Sequence, residues 1–169
     1  YSGLAGGADV ILIPEIPFRY EAICKQVKQR VSKGSYFSII AVSEGASAQG
    51  SEQVFLREGN SVFQARLGGI SHQVADFIAR SCEVETRVTI LGHLQRGGSP
   101  TPFDRWLATR LAAEAVRAVG RGELGVMSAL QGNKVVTIPL KEALSTLKRV
   151  DIHGDTVQTA RNLGISLGD

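Results

Sequence analysis

Val10–Val42 reads VILIPEIPFRYEAICKQVKQRVSKGSYFSIIAV, and its changes of period decide the fold. Val10–Pro14 is a short apolar, β-branched run of the kind that forms a buried strand. Tyr20, Ile23, Cys24, Val27 and Val31 then recur at i, i+3, i+4, i+7 and i+11 among lysines and arginines. That spacing draws one apolar stripe along a helix. Lys33-Gly34 ends the helix with a cation and a glycine. Ser38–Val42 returns to an apolar run and ends at Ser43-Glu44-Gly45. Strand, helix and strand in this order imply a right-handed crossover and a parallel pair.

Further along, Ile70–Cys82 resumes helical spacing through Val74, Phe77, Ile78 and Ser81, and Thr86–Leu91 reads as a third strand. Thr101-Pro102-Phe103-Asp104 marks a helix start: Thr caps, Pro occupies the first helical position, and Asp lies near the positive end of the dipole. That helix should turn Leu107, Leu111, Ala115 and Val119 inward and stop at Gly120. Gly125–Leu130 and Lys134–Leu140 flank Gln131-Gly132-Asn133 as a strand pair around a short turn. Lys141–Lys148 and Thr156–Leu163 read as closing helices. Residues 46–69 carry Gly, Ser and Gln with apolar patches at Val54–Leu56 and Val62-Phe63, which predicts a long loop or lid, a small hairpin, or a partly disordered stretch. The expected architecture is one α/β domain over residues 1–169, with a mostly parallel sheet of about four strands.

The chain has 169 residues, 43% of them hydrophobic and 21% charged. This is an ordinary globular mix, unlike the apolar-poor composition of disordered chains. No run approaches the ~18 apolar residues of a bilayer span. The net charge of +3 comes from scattered residues, with no basic stripe to track a nucleic-acid backbone. Cys24 and Cys82 are too few for a disulfide framework and fit free thiols in a reducing cytoplasm. The first residue is Tyr1, and Tyr1–Gly7 has no charged start or apolar signal core, so the chain is expected to be part of a longer polypeptide.

Ligands of open parallel sheets bind beyond the carboxyl ends of the strands. Glu44 leaves the second expected strand at that rim, and His93 and Arg96 leave the third. Gly92, Gly97 and Gly98 keep the loop free of bulk. An arginine forks onto phosphate while a carboxylate accepts from sugar hydroxyls, so the trio suits a sugar phosphate. Spacing alone also fits plainer roles: a surface carboxylate, a half-buried histidine, a guanidinium on turn carbonyls. Arg87 reads as a salt-bridge partner, His72 and His153 as surface residues, and Trp106 as core or subunit contact. Gly97-Gly98-Ser99 before the capped helix offers an anion a helix N-terminus. HExxH, CxxC, GxxxxGK[ST] and GxGxxG after a strand are all absent.

Glu85–Arg105 (ETRVTILGHLQRGGSPTPFDR) closely resembles the signature of 6-phosphofructokinases, and Ala5–Glu15 (AGGADVILIPE) and Ala41–Ala46 (AVSEGA) fit that family in the same order. The resemblance runs over about the first 120 residues and is looser in the tail. It points to the C-terminal half of a catalytic chain, with a three-layer α/β/α subdomain for the sugar phosphate. The family transfers a phosphoryl group from ATP or pyrophosphate to the 1-hydroxyl of fructose 6-phosphate in glycolysis, with Mg2+ as the metal.

Position by position, the resemblance implies that Glu44 binds the sugar hydroxyls and that His93 and Arg96 hold the 6-phosphate. Arg87 would reach into a neighbouring subunit's phosphate site, which makes the protein a homo-oligomer with an intersubunit active site. Asp9 and Lys33 would fall at the effector site of allosteric members. Ser35 and Phe37 replace two cationic contacts there, which argues against nucleotide control. The donor-phosphate loop, the aspartate base and the metal donors lie upstream of Tyr1 in the family. This segment alone would therefore hold no catalytic residue and no metal ligand, and would be inert. The rival reading is a non-catalytic binding or oligomerisation module derived from such an enzyme.

Overall fold

The computed structural model describes residues 1–51, 55–57 and 66–169, and in it the chain forms two compact units. Tyr1–Ile90 and Arg149–Asp169 make the first unit, and Leu91–Lys148 makes the second. The chain opens with a single helical turn, α1 (Ser2–Ala5), that leads into β1 (Val10–Leu12). A thirteen-residue helix, α2 (Tyr20–Ser32), connects β1 to β2 (Ile40–Val42). β1 and β2 pair in parallel with Val10 opposite Ile40 and Leu12 opposite Val42. This is the strand–helix–strand unit that the change of period predicted.

α2 buries Ile23, Cys24 and Val27, three members of the expected stripe, while Val31 at its end stays exposed. Within residues 46–69, β3 (Phe55–Arg57) pairs antiparallel with β4 (Arg66–Leu67). The backbone of Ala48 forms a parallel bridge with Phe18. Val54, Val62 and Phe63 lie outside the described residues. α3 (Ile70–Cys82) follows and buries Ile70, Val74 and Ile78. These side chains close on Val10, Leu12, Phe18, Ile23, Cys24 and Ala46 to form the main core. Tyr20 links the two helices, with its ring 5.2 Å from Phe18 edge-on and 4.6 Å from Phe77.

Thr86–Leu91, the expected third strand, pairs with no strand among the described residues. Its exposure nevertheless alternates: Cys82, Val84, Thr86 and Val88 are half-buried, and Glu83, Glu85, Arg87 and Thr89 are exposed. A period of two is that of extended chain lying with one face against a surface. The described residues thus form three two-stranded sheets rather than one sheet of about four strands.

In the second unit, a short 3₁₀ turn at His93–Arg96 precedes α4 (Pro102–Gly120). Thr101 caps α4 as predicted: its Oγ1 accepts from Asp104 N at 3.2 Å, and its own N–H donates to Asp104 Oδ2 at 2.8 Å. β5 (Val126–Gln131) and β6 (Lys134–Pro139) form the expected hairpin, in register from Val126↔Pro139 to Gln131↔Lys134. Gly132 has φ +56° at the first central position of the turn, where a type II′ hairpin requires glycine. Only Leu140–Ala143 of the helix expected at Lys141–Lys148 forms, as the single turn α5.

The inner face of α4 also departs from the expected one. Leu107, Leu111 and Glu114 are half-buried and Ala118 is buried, whereas Ala115 and Val119 are exposed. A carboxylate occupies this face because cations meet it there. Arg121 Nη2 donates to Glu114 Oε1 at 2.8 Å and Arg121 Nε to Glu123 Oε1 at 2.7 Å. Thr137 of β6 donates to Glu123 Oε2 at 3.2 Å, which ties the network to the hairpin.

The chain rejoins the first unit at Arg149 and forms α6 (Asp155–Asn162). Val157 of α6 packs with Ile16 and Leu167 in a second cluster. Ile11 N–H donates to Ser166 O at 2.9 Å and Ser166 N–H to Asp9 O at 3.0 Å, so the tail adds one parallel bridge beside β1. Gly168 sits at φ +84°, and a Cβ there would lie 2.5 Å from Phe18 Cβ. Both the backbone angle and the close approach require glycine.

Hydrogen bonds from Arg121 hold the Glu114 and Glu123 carboxyls below the usual carboxylate range. A depressed carboxylate stabilises the fold above its unfolded pKa and loses that contribution as pH falls through the folded value. The second unit should therefore hold its stability above about pH 4.3, the ordinary glutamate value, and lose it progressively below. Arg121→Ala should flatten that acid limb in urea unfolding followed between pH 2 and 6.

Candidate functional site

Strand ends position the first candidate. Ser43 N–H donates to Leu12 O at 2.9 Å and Ala46 N–H to Ser43 O at 3.0 Å, which folds the chain into a tight turn straight after β2. Glu44 stands exposed on that turn, at the carboxyl end of a parallel pair, where open sheets carry their ligands. Its carboxylate has no partner among the described residues. Arg87 belongs to the same unit and is 86% exposed. Its Nε and Nη2 both donate to Glu85 Oε1, at 3.0 and 2.9 Å. An exposed pair of this kind holds weakly and leaves the guanidinium ready to exchange partners.

His93 and Arg96 lie in the second unit, at the two ends of the 3₁₀ turn. Gln95 N–H donates to Gly92 O at 3.2 Å and Gly97 N–H to Leu94 O at 3.1 Å. Side chains three apart eclipse on such a turn, so His93 and Arg96 share one side of it. Both are exposed. Gly98 at φ +90° then turns the chain toward Thr101. An imidazole and a guanidinium on one side of a glycine-flanked turn can together grip a phosphate, the arginine as a planar fork.

The N-terminus of α4 is already satisfied. Asp104 accepts from both the N–H and the hydroxyl of Thr101, and these bonds hold its carboxyl below the usual range. The acid that complements the dipole is thus built in, and the anion expected near Gly97-Gly98-Ser99 meets a carboxylate there.

Asp9 is committed within the first unit. Its Oδ1 pairs with Arg30 Nη1 at 2.8 Å, and its Oδ2 accepts from Ile39 N at 2.8 Å. Arg30 Nη2 reaches Phe37 O at 3.4 Å. Together they clamp the start of β1 to the end of α2 and to the loop before β2. Sequence reading missed Arg30 because its partner lies 21 residues away and meets it only through the crossover. Lys33 caps α2 and is exposed. Among the described residues, no group of three or more His, Cys, Asp and Glu comes together. His72 and His153 are exposed, as read from the sequence.

The described residues thus show a parallel β-α-β unit with an exposed carboxylate at its rim and, in a separate unit, a turn that carries an imidazole and a guanidinium on one side. The family model for phosphofructokinase matches residues 1–119, and the chain belongs to the phosphofructokinase family. Over all 169 residues it is 52% identical to the ATP-dependent 6-phosphofructokinase of Chloroflexus aurantiacus, covering 46% of that protein. Over 152 residues it is 45% identical to the pyrophosphate–fructose 6-phosphate 1-phosphotransferase of Streptomyces coelicolor, covering 44% of it. The chain therefore spans about half the length of the curated relatives it matches, and aligns with their C-terminal half.

Among solved structures, phosphofructokinase from Saccharomyces cerevisiae superposes with a TM-score of 0.62 at 29% identity, over 97% of this chain and 20% of that one. A pyrophosphate-dependent phosphofructokinase from Marinobacter aquaeolei shares the fold, with a TM-score of 0.63 at 18% identity, over 95% of this chain and 41% of its own. No helix among the described residues is long and apolar enough to cross a membrane.

Removing the guanidinium from the clamp should expose its structural weight. Arg30→Ala leaves the mostly buried Asp9 carboxylate short of a partner and should cost about 1–3 kcal/mol in urea unfolding. A cost under about 0.5 kcal/mol would make the pair an ordinary surface contact.

Proposed function

We propose that this chain is the acceptor-binding portion of a 6-phosphofructokinase, which transfers a phosphoryl group from ATP or pyrophosphate to the 1-hydroxyl of fructose 6-phosphate in glycolysis. The observation that carries the proposal is family membership over residues 1–119, which includes Glu44, Arg87, His93 and Arg96. Relatives named for each donor match it at similar identity, so both donors stay within the proposal. Family membership favours this enzyme reading over a non-catalytic module.

In the proposed site, Arg96 forks onto the 6-phosphate and His93 donates to a further phosphate oxygen. Glu44 accepts from ring hydroxyls and fixes the sugar's rotation. Arg87 of a neighbouring copy, released from Glu85, adds a second guanidinium to the phosphate. Holding the remote phosphate in this way aims the 1-hydroxyl at the donor, and phosphoryl transfer depends chiefly on such positioning and charge neutralisation. The base, the donor site and the donors for Mg2+ belong to the part of the family's length that this chain does not span. Magnesium would neutralise donor-phosphate charge there, and no step here runs through it.

Homo-oligomeric assembly is part of the proposal. The exposed side of α4 carries Phe103, Trp106, Val116 and Val119, a large apolar display for a soluble surface. Arg110 stacks 4.3 Å from the Trp106 ring centroid and holds it in place. Thr86–Leu91, with its alternating exposure, would pair as a further strand of a three-layer, mostly parallel sheet in the assembled enzyme. The setting is read as the cytoplasm. For Asp9 and Lys33 the geometry supports a structural part, since both oxygens of Asp9 are engaged.

Steady-state kinetics of the complete natural polypeptide test the assignment. Arg96→Ala should raise the KM for fructose 6-phosphate by about 30- to 150-fold, the loss of a charge-assisted contact. The KM for the phosphoryl donor should stay within about twofold of its parent value, since Arg96 touches only the acceptor. An unchanged KM for the sugar phosphate would remove Arg96 from the site.

A further inference from the structure

β1 has neighbours on both edges, β2 on the other side and the Ser166 bridge on this one, whereas β2 is paired on one edge alone among the described residues. Successive residues of a strand aim their N–H and C=O groups to alternate sides. Asp9 N–H donates to Ile39 O at 2.8 Å and Ser43 N–H to Leu12 O at 2.9 Å, so Ile39, Ala41 and Ser43 serve β1. Ile40 and Val42 therefore turn their backbone groups to the far edge, where no described strand meets them. Their side chains pack against the main core, so this stretch is no frayed end. Natural edge strands are blunted by charge, proline or a bulge. Ser38–Ser43 (SIIAVS) has neither charge nor proline, and β2 keeps an unbroken register with β1.

Handedness decides what belongs at that edge. Val10 and Leu12 face the main core with α2 and α3, whereas Ile11 and Ala41 face the other way, against α1. A Cβ on Gly3 of α1 would lie 2.7 Å from Ile11 Cγ1 and 3.2 Å from Ala41 Cβ. The step from β1 to β2 runs through α2 on the first face. Parallel strand–helix–strand connections are right-handed almost without exception, so a connection through the opposite face steps the opposite way across the sheet. The strand that feeds α1, and through it β1, thus lies on the β2 side of β1. α3, on the first face, carries the chain from β2 further to that same side, to the extended stretch Thr86–Ile90, which pairs with no described strand either. One strand set between β2 and Thr86–Ile90 satisfies both unpaired edges.

We propose that the far edge of β2 is a docking edge for one extended segment of the natural polypeptide: the strand that leads into α1 from its N-terminal side, inserted in parallel between β2 and Thr86–Ile90. This rests on the reading of the chain as a portion of a longer enzyme. More than half the length of its curated relatives lies outside the match, which falls in their C-terminal half. Ile40 and Val42 bond the inserted backbone, and main-chain pairing of this kind carries the affinity of strand addition. The sheet of the first unit then has four strands, in the order β1, β2, inserted strand, Thr86–Ile90.

Amide hydrogen exchange at single-residue resolution in the complete natural polypeptide tests the pairing. The Ile40 and Val42 amides should exchange at least ~100-fold more slowly than an unstructured chain, as Ala41 does, with no change on about tenfold dilution. A diazirine amino acid placed at Ile39, which is 44% exposed, should on irradiation link to a peptide that precedes Tyr1. Exchange is read on the unlabelled protein and stands even where the labelled one fails to fold. Free-chain exchange at Ile40 and Val42 beside a protected Ala41 would overturn the proposal. So would protection that falls on dilution, or a link to residues 46–91 or to a second copy. Turnover of fructose 6-phosphate by the same sample reads the enzyme assignment separately: an open edge in an active enzyme defeats only the strand insertion, and a protected edge in an inactive protein defeats only the assignment.

Discussion

Backbone hydrogen bonds on both edges of β1 and one ion pair beside it hold the first unit in the arrangement that everything else uses. β1 can pair in parallel with β2 only if the chain crosses back between them, and α2 makes that crossing with Ile23, Cys24 and Val27 turned to the core. Ile11 and Ser166 bring the tail to the other edge of β1, and the Asp9–Arg30 pair locks the entry to β1 against the exit of α2. With the strand direction fixed, the turn after β2 must emerge at the carboxyl rim. Glu44 stands on that rim because of the topology rather than because of any contact of its own.

The His93–Arg96 turn is built by different means. Nothing buries His93 or Arg96; a 3₁₀ turn between glycines sets them on one side, and the capped start of α4 ends the segment firmly. Local hydrogen bonding therefore supplies geometry where burial supplies none. The rim of the first unit is thus defined by strand pairing, and the turn of the second by its own backbone. Exposed, flexible cations such as Arg87 and Arg96 suit a ligand that carries its own charge and orders them on arrival.

Where a pattern was local, the sequence made it legible. The α2 stripe, the α3 stripe, the Thr101 cap and the Gly132 hairpin all formed where their spacing placed them, because each rests on residues within a few positions of one another. Thr86–Leu91 shows the limit: its β-branched run predicted a third strand, but a strand also needs a partner, pairing is non-local, and none of the described strands pairs with it. The inner face of α4 failed for a related reason. Counting apolar residues favoured Val119, while the fold chose Ala118 and admitted Glu114, since Arg117 within the helix and Arg121 beyond its end neutralise it. Arg30 was invisible for the same cause. The candidate site residues came as a set from the family resemblance, and the eclipsed placement of His93 and Arg96 came only from the turn.

The central claim is that the His93–Arg96 turn receives the phosphate of a sugar phosphate, and His93 itself can report on it. Histidine-labelled natural protein, with the His93 resonance assigned through His93→Gln, would be titrated with fructose 6-phosphate and, separately, with fructose while imidazole shifts are followed by NMR. A saturable shift of His93 with the phosphate ester alone, with exposed His72 and His153 unmoved, is the predicted result. A His93 signal that stays fixed while the enzyme demonstrably binds fructose 6-phosphate would contradict the account.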